Sequence, residues 1–257
     1  MAQNSVQSVE RAFEIIEALA VEPRGLTVSE LSERLSLHKT TVHRILQTLL
    51  QRGYVQKDRH TLRYKLGVKF VEISSIYLNN IELKTEAHPY LRELVKMLNV
   101  TVHLAILDEF DVVYIDKVEQ VNSIRLYSSI GKRVPAYCTA LGKVLLSKYQ
   151  DHEIKKILKS IELKPYTQNT ITDPEILLNE IILARERGWA VDNQELQPSI
   201  RCIAAPIYDY RNEIIAAISI SAPVNILPPE MDEENAKKVV DTAMTISSRL
   251  GFVKDRF

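Results

Sequence analysis

Cysteine occurs only twice in the 257 residues, as Cys138 and Cys202. Two are too few for a disulfide framework, so a reducing cytoplasm is the expected compartment. Long hydrophobic runs are also missing. No uncharged apolar stretch reaches the ~18 residues that a membrane span needs, and Met1 is followed by the polar Ala2-Gln3-Asn4-Ser5. Neither a membrane segment nor a signal peptide is therefore expected. Neither a G-x-G-x-x-G nor a G-x-x-x-x-G-K-[ST] loop is present, so no nucleotide cofactor is expected. No ligand pair has the close spacing of C-x2-C, and Cys138, Cys202, His103 and Asp192 are not expected to hold zinc. There is no internal repeat and no low-complexity stretch.

Net charge is absent as well, with 33 basic against 33 acidic residues. The distribution is uneven. Residues 38–65 carry Lys39, Arg44, Arg52, Lys57, Arg59, Arg63 and Lys65 against Asp58 alone, whereas the preceding segment is acid-rich. A basic block inside a neutral chain suits either a phosphate-binding surface or a solvated charged face. Hydrophobic residues make up 46% and charged residues 26%. That is an ordinary globular balance, and the length allows two domains, each with its own core.

The first 66 residues hold four short patterns. Val9, Phe13, Ile16 and Leu19 recur at helical spacing, which predicts a helix over about Ser5 to Ala20 with that face buried. Pro23-Arg24-Gly25 breaks it. Thr27-Val28-Ser29-Glu30 has the form of a capping box ahead of a short helix with Val28, Leu31 and Leu35 inward. Ser36 is placed to cap the next helix, whose stripe is Val42, Ile45, Leu46 and Leu49, and Gly53 to end it. Tyr54–Lys57 and Leu62–Leu66 then form a hairpin. Helix, helix, turn, helix, hairpin is the order of a winged helix-turn-helix. The face opposite the apolar stripe carries the expected contacts to double-stranded DNA: His38, Lys39, Thr40, Thr41, His43 and Arg44, with Arg63 on the wing.

Residues 67–97 suggest two helices with a polar break between them. Val68, Val71, Ile73, Ile76 and Ile81 form an apolar face, and Pro89 falls in an early turn of the second helix. From Thr101 the period becomes two. Strands are predicted at Thr101–Leu107, Val112–Val118, Ser123–Tyr127, Trp189–Asp192, Cys202–Tyr208 and Ile214–Ile220. Helices are predicted at Thr139–Tyr149, at Pro174–Arg187 with Ile176, Leu177, Ile181 and Ala184 inward, and at Asp232–Leu250. The expected class is α+β, an antiparallel sheet with helices on its faces.

Several of these segments resemble one family. Ser8-Val9-Glu10-Arg11-Ala12 and the run from Leu31 to Leu46 are similar to the winged helix of the IclR-type transcription regulators. Gly131–Lys143 resembles the family's effector loop, and Arg201–Ile207 with Ala216–Pro223 its paired sensor strands. The resemblance implies a DNA-binding domain at 1–66, a linker helix at 67–84 and a GAF-like effector domain at 85–257. It implies a cytoplasmic homodimer or tetramer on a palindromic operator, acting by default as a repressor, and a small-molecule effector that is commonly a carboxylate. Neither a cofactor nor a membrane is implied. The pocket positions it implies are Leu126, Val134, Ala140, Leu141, Asp192, Ile200, Cys202, Ser219 and Ser221. Leu141 is larger than the residue often found there, which would narrow the pocket. The segment around Pro135-Ala136-Tyr137-Cys138 is similar to that of members answering to sugar acids such as 2-keto-3-deoxygluconate.

Ser219 and Ser221 lie two apart on one strand, so both point to one face. They either hold a carboxylate or sit on a solvated face. Asp192 either accepts from a ligand hydroxyl or caps a turn, and Cys202 fits a small buried hydrophobe. The rival reading is a small-molecule enzyme fused to a DNA-binding module, with Cys202 as nucleophile, His103 as base and Asp192 as orienter. No local signature supports that trio, so no catalytic residue is expected.

Overall fold

The computed structural model describes residues 6–79, 82–119 and 128–253. The chain divides into two compact units, Met1–Asn80 and Ile81–Phe257. Among the described residues no helix is long and apolar enough to cross a membrane.

The first unit contains α1 (Gln7–Ala20), α2 (Val28–Arg34), α3 (Lys39–Gln51), β1 (Val55–Lys57), β2 (Tyr64–Leu66) and α4 (Lys69–Asn79). The capping box forms as expected. The Thr27 hydroxyl accepts from the Glu30 amide, and the Glu30 carboxylate accepts from the Thr27 amide at 2.7 Å. Beyond α3, Gly53 adopts φ +78. The Gly53 and Tyr54 amides donate back to Leu50 and Leu49, closing a Schellman motif. β1 and β2 pair antiparallel, and Leu26 adds a bridge to Tyr64. The core joins Ile15, Leu19, Leu31, Val42, Leu46 and Tyr64.

Two expectations fail here. The buried face of α1 is Ile15, Ala18 and Leu19, while Val9 and Phe13 are 49% and 58% exposed. α1 has more apolar residues than one face can bury, and packing on α3 and β2 selects among them. Ser36 does not cap α3. It sits in a left-handed turn at φ 53, and His38 is the N-cap residue, without a side-chain cap. The turn is held by the Ser32 hydroxyl, which donates to the Leu37 carbonyl at 2.6 Å. Of the expected apolar face, Val68, Val71 and Ile73 are exposed, and the side chains of Ile76 and Ile81 lie outside the described ones.

The second unit contains α5 (Glu82–Leu98), β3 (Thr101–Asp108), β4 (Asp111–Val118), β5 (Arg133–Pro135), a 3-10 turn (Ala136–Cys138), α6 (Ala140–Leu146), α7 (Asp151–Ser160), α8 (Pro174–Arg187), β6 (Ala190–Asn193), β7 (Ile200–Tyr208), β8 (Ile214–Pro223) and α9 (Asp232–Arg249). The strands form one antiparallel sheet in the order β5-β4-β3-β8-β7-β6. One face packs on α5 and α9 through Leu94, Leu104, Ile203, Ile218, Val239 and Ile246. The other packs on the 3-10 turn, α6, α7 and α8 through Tyr137, Leu145, Ile154, Leu177, Ile181 and Ala204. Helices therefore cover both faces, as the α+β reading requires.

Pro89 lies in the interior of α5, because that helix begins at Glu82. Ile176 is 56% exposed, and Leu178 takes its place inward. α7 and β5 have no counterpart in the sequence analysis. The α7 signal was present, with a Gln150–Glu153 capping box and Ile154 and Leu158 four apart. The expected strand at 123–127 lies outside the described residues.

Gly142 marks the tightest packing near the cavity described below. A Cβ there would meet the Ala136 carbonyl oxygen at 1.9 Å, so α6 rests directly on the 3-10 turn. Gly142→Ala should destabilise the second unit by about 3 kcal/mol, the upper end of ordinary overpacking. Trp189 is the only tryptophan, and its fluorescence in a urea titration of the whole chain reads that unit alone. An unchanged midpoint would refute the close contact.

Candidate functional site

Two surfaces carry the chemistry, one in each unit. In the first, Val42, Leu46 and Leu49 turn inward, which leaves His38, Lys39, Thr40, His43, Arg44 and Thr48 exposed and Thr41 half-buried. The donors cluster on the N-terminal half of α3. Among the described residues Lys39 and Arg44 form no ion pair, so their charges face outward uncompensated. A groove of about 450 Å³ between α1 and α3 brings Ser8 and Arg11 beside Thr41, Arg44 and Thr48. Arg11 was not anticipated as a partner of Arg44, because nothing in the local pattern shows α1 crossing α3 at that point.

On the wing, Lys57 and Arg59 are exposed and Lys65 is half-buried. Arg63 is engaged within the unit. Its guanidinium donates to the Gly25 carbonyl at 2.6 Å and to Glu30 at 2.7 Å. Glu30 already serves the capping box, so Arg63 ties the wing to the start of α2. Two of the guanidinium's nitrogens are thus committed within the unit.

In the second unit a cavity of about 350 Å³ opens on the sheet face that carries α6. Val134, Asp192, Ile200 and Cys202 line it, as expected, together with His103, Tyr114 and Tyr166. Ser128, Lys132, Arg133, Pro135, Leu196 and Gln197 complete its wall. Ala140, Leu141, Ser219 and Ser221 are buried beside it without lining it, and Leu126 lies outside the described residues. The serine pair is therefore not on a solvated face. Ser221 donates to the Cys202 sulfur at 3.1 Å and stands 3.4 Å from His103 Nδ1. Ser219 lies opposite His103 in the β3–β8 ladder.

Burial sets the protonation states. It pushes His103 down to about 3, with the Lys117 charge adding to the effect, so the ring is neutral at physiological pH. Its Nε2 shares a hydrogen bond with Ser128 at 2.8 Å. Burial raises the thiols of Cys202 and Cys138 and the phenol of Tyr114. It also raises Asp192 to about 7, helped by the negative charge of Glu195. Cys202 thus stays a thiol, and His103 meets serines rather than the sulfur. The arrangement binds; it offers no activated nucleophile. Among the described residues no group of three or more His, Cys, Asp or Glu side chains converges as a metal site.

A buried ion pair holds the cavity's inner end. Lys143 on α6 donates to the Glu195 carboxylate and, at 2.9 Å, to the Val191 carbonyl. The two side chains are 1% and 4% exposed. The Asp192 carboxylate accepts from the Glu195 amide at 2.6 Å, which orders the loop between β6 and β7. Gln194 and Ser199 in that loop are left-handed at φ 62 and 65, and the Gln194 side chain accepts from the Ser199 amide. Lys143 was visible only as part of a motif, since the residue it meets lies 52 positions away.

Residues 8–59 match the IclR helix-turn-helix domain, and residues 75–248 match the bacterial transcriptional regulator IclR C-terminal domain. The chain is 39% identical over 249 residues to the HTH-type transcriptional regulator KdgR of Escherichia coli, covering 97% of this chain and 94% of that protein. The crystal structure of the Thermotoga maritima IclR superposes with a TM-score of 0.81 at 36% identity, over 95% of this chain and 99% of that one. An IclR homologue from Microbacterium hydrocarbonoxydans, solved with 4-hydroxybenzoate, shares the fold at 21% identity and a TM-score of 0.83, over 95% of this chain and 98% of that one.

Removing one partner of the Lys143–Glu195 pair leaves a buried charge uncompensated. Lys143→Ala should cost about 3–5 kcal/mol of stability, and Lys143→Met with Glu195→Leu should recover most of it. Urea denaturation of the three proteins checks both expectations. Equal losses in the single and double variants would show that the pair does not act as a unit.

Proposed function

Because the chain belongs to the IclR family of bacterial transcriptional regulators, we propose that α3 reads a palindromic double-stranded operator while the cavity of the second unit takes a small carboxylate effector. The observation that carries the DNA reading is the exposed, unpaired cationic half of α3 in a winged helix-turn-helix. His38, Lys39, Thr40, His43 and Arg44 reach base edges and phosphates in the major groove, Thr41 supports them, and Arg11 adds a phosphate contact from α1. Arg63 holds the wing in place rather than touching DNA.

The effector is a sugar acid. The cavity is small for a ligand site, and Ser128, His103, Tyr114, Asp192 and Gln197 set polar groups into its largely apolar wall. The hydroxyls of a polyhydroxy acid offer these groups further hydrogen bonds that an aromatic ring does not. The 39% identity to KdgR supports the same class. The protein acts in the cytoplasm as a homodimer, with a tetramer as its larger form. It represses until the effector shifts the equilibrium between protomer arrangements and separates the two recognition helices from their half-sites.

Arg44→Ala should weaken operator binding about 10–100-fold, as expected for the loss of one specific side-chain contact, with effector affinity unchanged. Footprinting that matches wild type across a salt series would refute the α3 assignment. In a thermal-shift screen, sugar acids should raise Tm more than aromatic acids do. Ile200→Trp, which fills the cavity, should abolish that shift and leave operator binding intact; a shift that survives would place the effector elsewhere.

A further inference from the structure

An anion that meets buried carboxylates on a cavity wall must find its countercharge there or bring it. At the inner end of this cavity, two carboxylates share one ammonium. Lys143 directs its donors to Glu195 and the Val191 carbonyl, and Asp192 accepts from the backbone amides of Glu195 and Leu196 without touching the ammonium. One oxygen of Glu195, Oε2, is buried without a partner. Asp192 is 3% exposed and lies on the cavity wall.

Among the described residues, Lys143 is the cation whose charge acts on Asp192. Cys202 is its partner in the β6–β7 ladder, and the Cys138 charge would oppose its own across the core. Both thiols stay protonated, as does Tyr114 on β4, and His103 on β3 is neutral. The flanking Arg201 is committed to Asp232 through two hydrogen bonds at 2.8 Å. At the mouth, Arg133 is bound by Asp108 and Asp111, and Lys132 is also engaged. With both carboxylates ionised, the inner end is net negative before any ligand arrives.

We propose that a carboxylate effector enters this cavity together with one proton, which Asp192 holds, so that Asp192 meets the ligand as a hydrogen-bond donor rather than an acceptor. The inference rests on the carboxylate reading of the effector given above. It makes Asp192 a specificity-determining residue. A protonated carboxyl favours ligands that present an acceptor, such as a carboxylate or keto oxygen, at that end of the cavity. It also links affinity to pH. Burial already raises the Asp192 carboxyl to about 7 in the free protein, and a bound anion raises it further. Affinity is then flat below that pH and falls about tenfold per pH unit above it, because the proton must be taken from solution.

Titration calorimetry of the full chain, with 2-keto-3-deoxygluconate and gluconate as probes, tests this at pH 8 in phosphate and in Tris. The difference in heat between buffers counts protons taken up. Wild type should take up close to one proton per ligand, and Asp192→Asn none, with an affinity independent of pH from 6.5 to 8.5. No uptake by wild type, or equal uptake by the variant, overturns the proposal. Should Asp192→Asn bind neither acid, the infrared difference spectrum of wild type on adding the acid at pH 8 decides. A protonated-carboxyl band is expected, and its absence overturns the proposal. Binding without a proton sinks this inference alone, whereas no binding of either acid sinks the sugar-acid reading and the inference with it.

Discussion

The sheet of the second unit is covered by helices on both sides, and this constraint decides where every functional residue in it can be. Successive residues of a strand point to opposite faces. On β8, Ala216, Ile218, Ile220 and Ala222 enter the core under α5 and α9, while Ala217 joins the core under α6. Ser219 and Ser221 share the phase of Ala217. On β7 the same alternation sends Ile203, Ala205 and Ile207 one way and Cys202 and Ala204 the other. A one-residue slip of β7 would displace Cys202 from the cavity wall, and one of β8 would put isoleucines in place of the serines buried beside it. Both cores therefore hold the register, and the register builds the cavity.

Within that frame the polar groups divide by task. Lys143 and Glu195 tie α6 to the loop after β6, and Arg201 with Asp232 ties β7 to the start of α9. His103, Ser221 and Cys202 form a neutral chain of contacts across β3, β8 and β7. What is left to meet a ligand is the wall formed by Asp192, Tyr114, Ile200 and their neighbours. In a dry interior each unmet polar group costs about 1–3 kcal/mol.

The first unit uses the same economy. Glu30 caps α2 and receives Arg63, so one carboxylate sets both the angle of the helix-turn-helix and the position of the wing. Lys39 and Arg44, on the N-terminal half of α3, form no ion pair among the described residues, whereas Arg63 is tied to Glu30. Arg44 and Arg63 look alike in a basic stretch of sequence.

Much was legible in the sequence by itself. The capping box at Thr27, the glycine after α3, the bounds of α8 and the two-residue period of β3, β4, β7 and β8 are local signals, and local hydrogen bonding realises them. Family motifs led to Val134, Asp192, Ile200 and Cys202 on the cavity wall. Tertiary structure alone decided the rest. It chose Ile15 over Phe13 as the buried face of α1, because an apolar-rich helix has more than one face to offer. It gave Arg63 to Glu30 and Lys143 to Glu195, pairs 33 and 52 residues apart that no local pattern joins. It made His103 neutral and Asp192 hard to ionise, because desolvation depends on everything that surrounds a group and not on its neighbours along the chain.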